Sequence, residues 1–264
     1  MAGLVIICLI CLMAIFADVL ADYERDAITY NIPQKLMAPC AEHWFGTDEV
    51  GRDIFARCIH GARISLMMGL LSTVLSFTLG LIIGSISGYY GGIIDSVTMR
   101  IMDMLMCIPS ILLALVIVAA LGTSIPNLLL AITIGNAPSF ARMIRASIIT
   151  VANQEYIDAA RICGTRDRRI VMRHIIPNTM GPIIVQATMS VAGCITATAG
   201  LSFVGMGIQA PRPEWGAMLS AGRDLMRYHP HVVIIPGMFI VITALAINLF
   251  GDGLRDAMDP RLKD

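Results

Sequence analysis

Long apolar runs alternate with shorter polar stretches along this chain. Residues 2–17 carry no charge, and the run continues past Asp18 to Ala21. Residues 64–94 are likewise free of charge, and further runs cover 104–121, 127–149, 178–204 and 232–250. A helix rising 1.5 Å per residue needs about 20 such residues to cross the hydrocarbon of a bilayer. The pattern therefore predicts an all-α membrane protein with six transmembrane helices, at approximately 2–21, 64–88, 98–121, 127–149, 179–204 and 232–250. The first is read as a span and not as a cleaved signal peptide, because no Lys or Arg precedes it and no soluble domain follows. A cytoplasmic lead before it is expected to be short or absent.

Several positions inside these runs carry information. Gly80, Gly84 and Gly88 form a ladder on one helix face, where small residues let two backbones approach closely in lipid. Their predicted role is helix packing. Pro109 is expected to kink the third helix. The fourth carries Asn136, Pro138, Ser139, Arg142 and Arg145. Such residues avoid lipid and face other helices, a water-filled path or the membrane boundary.

The polar stretches divide the chain. Residues 1–63 combine the first helix with a loop, in which 53–64 alternates charged and apolar residues and predicts an interfacial amphipathic helix. Gly46-Thr47-Asp48 reads as a turn into a helix cap. Residues 64–250 form the core, interrupted by a polar loop at 151–178 and another at 205–231. Residues 251–264 are a polar tail.

Composition agrees with the membrane reading. The chain has 264 residues, of which 56% are hydrophobic and 14% charged, against about 25% charged in soluble domains. Its mean hydropathy is +0.75. Zero formal net charge gives no bulk electrostatic reason to expect a nucleic-acid partner. Only Lys35 and Lys263 are lysines, followed by Leu36 and Asp264, so no Gly-Lys-Ser/Thr phosphate loop exists here. No paired acids or histidine clusters lie within the apolar runs, so neither a catalytic site nor a metal site is predicted. His229 and His231 form an HxH in a loop, which alone does not make a metal site. Most of the seven cysteines lie in apolar runs and read as small packing residues. Cys40 and Cys58 share one loop, where a disulfide and two free thiols are both open readings.

The stretch at 155–177, EYIDAARICGTRDRRIVMRHIIP, is the long Arg-rich interruption between apolar regions. Seven arginines fall between Arg142 and Arg173, against Glu155, Asp158 and Asp167. By the positive-inside rule this loop is cytoplasmic, and six spans then place both termini there too. Residues 155–162 predict a short helix in which Ala159 and Ala160 leave a smooth face. Gly164 suits the left-handed residue that ends a helix and reverses the chain. Residues 166–174 predict a second, basic helix suited to an anionic lipid surface, which Pro177 is expected to stop. An ordinary basic loop that only sets topology is the other reading of this stretch.

The pattern Glu155-x3-Ala159-Ala160-x3-Gly164, followed by Ile176-Pro177, resembles the EAA loop of ABC importer permeases. Three more stretches resemble the dipeptide, oligopeptide and nickel branch of that family. One is His43-Trp44-Phe45-Gly46-Thr47-Asp48 with Gly51-Arg52-Asp53 and Gly61-Ala62-Arg63. Another is the run from Leu201 to Gly207 with Pro213-Glu214-Trp215-Gly216. The last is the run from Gly251 to Asp256 with Asp259-Pro260-Arg261. Together they span nearly the whole chain and identify it with the C-type permease subunit.

The resemblance implies a type I importer permease fold in a bacterial or archaeal plasma membrane. It implies a second, related permease subunit, two cytoplasmic ATPases that carry the ATP and Mg, and an extracytoplasmic binding protein. No cofactor is expected on this chain itself. Glu155, Ala159, Ala160 and Gly164, with Tyr156 and Asp158, would form the ATPase-coupling contact. Gly46, Asp48, Gly51, Arg52, Asp53, Glu214, Trp215 and Gly216 are the external-loop candidates. The expected cargo is di- or oligopeptide, with nickel, a metallophore complex or glutathione as alternatives. A stand-alone secondary transporter is the competing class; its intramembrane ionisable residues are nearly missing here.

Overall fold

A computed structural model describes residues 2–258 of the chain. The architecture is helical. In chain order the helices are α1 (Ala2–Ile15), α2 (Ala17–Leu20), α3 (Ile54–Tyr90), α4 (Gly92–Met106), α5 (Ser110–Leu121), α6 (Ile125–Ala152), α7 (Glu155–Ile162), α8 (Asp167–Ile170), α9 (Ile176–Phe203), α10 (Trp215–Gly222) and α11 (His231–Met258). Two π-helical turns, Tyr23–Ile28 and Val171–Ile175, supplement them. Met1 and the Asp259-Pro260-Arg261 stretch of the tail lie outside the described residues.

Among the described residues, three continuous helices are long and apolar enough to cross a membrane: Ile54–Tyr90, Asp167–Phe203 and His231–Met258. The pair Gly92–Met106 and Ser110–Leu121 makes a fourth if its 86° bend is counted within one span. Ala2–Ile15 is apolar but shorter. Helix α6 is long, yet its polar residues keep it out of that set, and it is enclosed by α3, α4, α5 and α9.

The α3–α6 contact is the most extensive in the molecule. Its cause is the glycine ladder. A Cβ on Gly80 would collide with Phe140, one on Gly84 would lie 2.6 Å from the Ala141 carbonyl oxygen, and one on Gly88 3.0 Å from that of Arg145. Bare backbone lets the two helices close to direct contact over more than two turns. The apolar core then forms three clusters. One at the cap end holds Ile54, Cys58, Trp215 and Ile240. A middle one holds Met68, Val118, Leu128 and Leu201. The third, at the loop end, holds Phe140, Ile148, Ile157, Ile170 and Ile183.

Three expectations need correction. Residues 53–64 are not an interfacial helix but the first turns of α3, with Ile54, Ala56, Arg57, Cys58, Ile59, His60, Gly61 and Ala62 buried. Their polar groups find partners at long range: Arg57 donates to the Ala27 carbonyl at 2.7 Å, His60 pairs with the Ala21 carbonyl at 2.9 Å and Arg63 with Asp18 at 2.9 Å. At 37 residues, α3 is roughly 55 Å long, nearly twice the ~30 Å hydrocarbon thickness. The 63/64 division therefore falls inside a helix, as does 250/251 inside α11. Second, the 98–121 segment is not one kinked helix. Pro109 is extended, at ψ 128°, and disfavours helix at Ile108 before it, so the chain leaves α4 and restarts as α5. Third, Pro177 does not stop the basic helix. It occupies the first turn of α9, after a π-helical turn, and the helix runs on through Asp167–Phe203. Of the two open readings for Cys40 and Cys58, the structure has the free thiols, with Cys40 exposed and Cys58 buried.

The ladder generates a paired test. Gly84→Leu overpacks the α3–α6 seam, a change costing ~1–3 kcal/mol or more, and should lower the thermal midpoint of the detergent-solubilised protein by roughly 5 °C. Gly193→Ala, on α9 with nothing within 4 Å of a built Cβ, should leave the midpoint unchanged or raise it. Equal behaviour of the two in a fluorescence size-exclusion melt would refute the role given to the ladder.

Candidate functional site

The loop end is built by α7, α8 and the turn between them. Helix α6 ends at Ala152, Gln154 is extended, and α7 begins at Glu155. Glu155 and Asp158 lie in the first turn and Arg161 in the last, signs that suit the helix dipole. The helix has two faces. Ile157 is fully buried among Ile148, Ile170, Ile175 and Ile183, with Ala160 half-buried beside it. Glu155, Asp158, Ala159 and Ile162 are exposed. Their i, i+3, i+4, i+7 spacing makes one continuous stripe. Of the two alanines, only Ala159 belongs to the open face. Tyr156 stands at its edge, 42% exposed, and Ile162 is 87% exposed.

The end of α7 is a Schellman turn. Thr165 N–H donates to the Ala160 carbonyl at 3.1 Å and Gly164 N–H to that of Arg161 at 2.9 Å. Gly164 sits at φ +74°, a conformation that costs a side-chain-bearing residue about 1–2 kcal/mol. The chain reverses there into α8.

Three contacts tie this element to the helices below it. Tyr89, near the end of α3, donates its hydroxyl to Asp167 at 2.7 Å. The Arg161 guanidinium lies over the Tyr89 ring, 5.4 Å from its centroid, and donates to Asp158 at 2.9 Å. Asn178 of α9 donates to the Tyr156 hydroxyl at 3.2 Å. Four exposed arginines, Arg166, Arg168, Arg169 and Arg173, rim the loop. The arrangement has docking character: a rigid two-turn helix with acidic start, small centre and apolar tip, surrounded by positive charge. Tyr89, Ile157, Ile162 and Asn178 escaped sequence reasoning. The three-residue spacing of Ile157 and Ala160 was the available signal for the inner face. Nothing local marks Tyr89 or Asn178.

At the cap end, the external-loop candidates face inward. Asp48 accepts from Arg52 Nε at 2.7 Å and from the Arg52 and Val50 N–H groups, while Arg57 approaches at 3.5 Å. Asp48, Arg52 and Arg57 are all buried. Gly46 and Gly51 turn the chain at positive φ, against the Met37 and Asn31 carbonyls. Asp53 caps α3 through the Ala56 N–H and holds His43 at 2.6 Å. Glu214, 1% exposed, caps α10 through the Gly216 and Ala217 N–H groups at 2.9 and 2.8 Å. Trp215 is fully buried, and its Nε1 donates to the Cys58 carbonyl at 2.9 Å. Gly216 abuts the Ala199 backbone. These residues lock the two loops onto α3 and α9.

Beside them opens a cavity of about 440 Å³ with a mixed lining, in which Asp26, Asn31, Gln34 and His43 stand with Leu20, Trp44 and Phe55. Hydrogen bonding from Arg25 holds the Asp26 carboxyl below its ordinary value. The His229 and His231 rings meet edge-on at 6.0 Å. Among the described residues no group of three or more His, Cys, Asp or Glu is placed to hold a metal.

Comparison with known proteins supplies the context. A family model described as "Binding-protein-dependent transport system inner membrane component" matches residues 80–264. Another, "N-terminal TM domain of oligopeptide transport permease C", matches residues 1–39. The dipeptide transport system permease protein DppC of Alkalihalophilus pseudofirmus is 46% identical over 261 residues, covering 99% of this chain and 85% of that protein. The glutathione transport system permease protein GsiD of Escherichia coli is 42% identical, covering 100% of this chain and 86% of its own. Among solved structures, an inward-facing MetNI methionine ABC transporter matches with a TM-score of 0.63 at 21% identity, covering 77% of this chain and 96% of that one. At that identity the likeness is one of fold.

The anchoring of α7 is testable. Tyr89→Phe removes the hydrogen bond to Asp167 but keeps the ring under Arg161. Amide exchange across residues 163–169 should quicken about threefold, the order of one partly solvated hydrogen bond. Unchanged exchange would mean that the Tyr89–Asp167 bond does not anchor this element, leaving it to Ile157 packing, the Arg161 contact with the ring and Asn178.

Proposed function

The chain belongs to the family of binding-protein-dependent transport system inner membrane components, and on that premise we propose that α7 is where an ATPase subunit couples to it. It is a multi-pass membrane permease subunit of an ABC importer, not the site of ATP hydrolysis. Its cargo on this reading is di- or oligopeptide, as the names of its dipeptide and oligopeptide relatives suggest. Glutathione is the second reading, supported by 42% identity to a glutathione permease over the full chain; it is itself a short peptide-like molecule.

Six segments cross the bacterial inner membrane: α1 with α2, α3, the α4–α5 pair, α6, α9 and α11. The loop end and both termini face the cytoplasm, and the cap faces outward toward the binding protein. Residues 64–250 carry the translocation path beside a second permease, with 151–178 as the coupling loop. Two ATPases dock, one on each permease. Glu155, Asp158, Ala159 and Ile162 enter the ATPase groove; Tyr156, Ala160 and Gly164 fix the helix that presents them. ATP-driven closure of the ATPases then moves α7, and α7 moves α6 and α9 as a unit.

The observation that carries this reading is the two-faced α7. A loop that only set topology would have no need of a buried Ile157, a fitted reverse turn and an exposed i, i+3, i+4, i+7 stripe on one two-turn helix.

Gly164 offers the test. Proline cannot adopt φ +74° and removes the N–H that bonds Arg161, whereas asparagine tolerates the left-handed region. In proteoliposomes bearing the complete importer, Gly164→Pro should cut ATP-driven peptide uptake by about tenfold or more, while Gly164→Asn stays within about threefold of the parent. The permease itself should remain folded, since no atom lies within 4 Å of a Cβ built at this residue. Parent-like uptake by Gly164→Pro would sink the coupling role.

A further inference from the structure

Helix α4 is attached to the rest of the chain in an unusual way. At its start, Gly91 and Gly92 sit at φ +64° and +57°, and nothing lies within 4 Å of a Cβ built on either. Gly91, at ψ −155°, occupies backbone space that essentially only glycine enters. At its end, the chain turns through 86° at Cys107, Ile108 and Pro109 before α5 begins, and those three residues are exposed. Helix α4 is therefore joined to its neighbours by two glycines at one end and by an exposed, helix-breaking turn at the other.

Its own packing is slight. Of its 15 residues only Met102 is buried, while Ile93 is 83% and Val97 55% exposed. Two ion pairs hold it to α6. Arg145 donates through Nε and Nη2 to the two oxygens of Asp95, which also accepts from the Ser87 hydroxyl. Arg142 pairs with Asp103. Arg142 and Arg145 stand one turn apart on α6, the helix that leads through Asn153 and Gln154 into α7. The backbone of Arg145 is also where Gly88 of α3 makes its close approach. A shift of α6 along α3 would thus change the Asp95–Arg145 geometry directly.

We propose that Asp95–Arg145 and Asp103–Arg142 are a latch that positions the α4–α5 segment during transport. In the present conformation the latch is closed. Movement of α7 shifts α6, the two arginines leave their aspartates, and α4 swings about Gly91–Gly92, carrying α5 with it. The four residues are positioning residues: they set where the broken span stands and need not touch cargo. The inference rests on the reading of the chain as an ATP-coupled permease, but the latch itself is a property of α4 and α6. It relies on discrete ionic contacts, which have two states, rather than on a continuous deformation of the core.

The experiment uses the complete importer in lipid nanodiscs and proteoliposomes. The variants are Asp95→Asn, Asp103→Asn and the exchange Asp95→Arg with Arg145→Asp. Hydrogen exchange across residues 91–109 and the ratio of peptide taken up to ATP hydrolysed are both measured. Opening the latch should quicken exchange at 91–96 and 107–109 by about tenfold and lower the uptake-to-ATP ratio by about fivefold. The charge exchange should restore both to within about twofold of the parent, which a loss of general stability would not produce. Both Asn variants matching the parent in exchange and in ratio would overturn the latch. So would a charge exchange that assembles fully yet behaves like Asp95→Asn. If the exchanged pair does not assemble, Asp103→Asn decides, because its half-exposed pair bears little on folding. Absence of ATP-driven uptake in the parent would instead remove the transport reading, and the exchange data would still judge the latch.

Discussion

The close approach of α3 and α6 along Gly80, Gly84 and Gly88 is the contact on which both ends of the molecule depend. In lipid there is no hydrophobic gain from bringing two apolar helices together, so shape and backbone proximity must do it. Once the two helices touch, their ends are placed. Helix α3 carries the cap on Arg57, His60 and Arg63 at one end and presents Tyr89 to the loop at the other. Helix α6 runs from the middle cluster to the doorstep of α7 and holds α4 by its two arginines. A displacement at α7 therefore has a rigid path inward and a hinged segment at the end of it.

Charges set against the helix bundle are paired. Arg57 and Arg52 share Asp48, Arg63 meets Asp18, Arg145 meets Asp95 and Arg142 meets Asp103. Burying a lone charge in so apolar a chain would be costly, and pairing removes most of that cost. The pairs differ in character. The Asp48 pairs with Arg52 and Arg57 are enclosed and fix structure. Those on α4 are partly exposed and sit between the Gly91–Gly92 pair and the 86° bend at Pro109, which suits a contact that breaks and re-forms.

Much of the loop end was legible because its signals are local. The Glu155–Ile162 helix and the reversal at Gly164 follow from a few adjacent residues, acidic ones first and a glycine last. The glycine ladder was equally plain, since a four-residue spacing needs no partner to be seen. The start of α3 was misread because the partners that neutralise it are 30 to 49 residues away, on Ala27, Ala21 and Ala14. An alternating charged stretch looks interfacial until those carbonyls are known. Pro109 announced a break, but its 86° angle depends on what α4 and α5 pack against. The external-loop candidates were visible as motifs; that they turn inward to lock the cap could be seen only when Trp215 was found against Cys58.

The central claim is that α7 is the seat of an ATPase. Native mass spectrometry of the tagged chain, extracted in mild detergent, tests it most directly. The account predicts one assembly containing this chain, a second permease and two P-loop ATPases, which sheds its ATPases when Ile162 is replaced by Asp while the two permeases stay together. An assembly that keeps its ATPases unchanged with Ile162→Asp, or a folded chain recovered alone under conditions that preserve other ABC complexes, would contradict it.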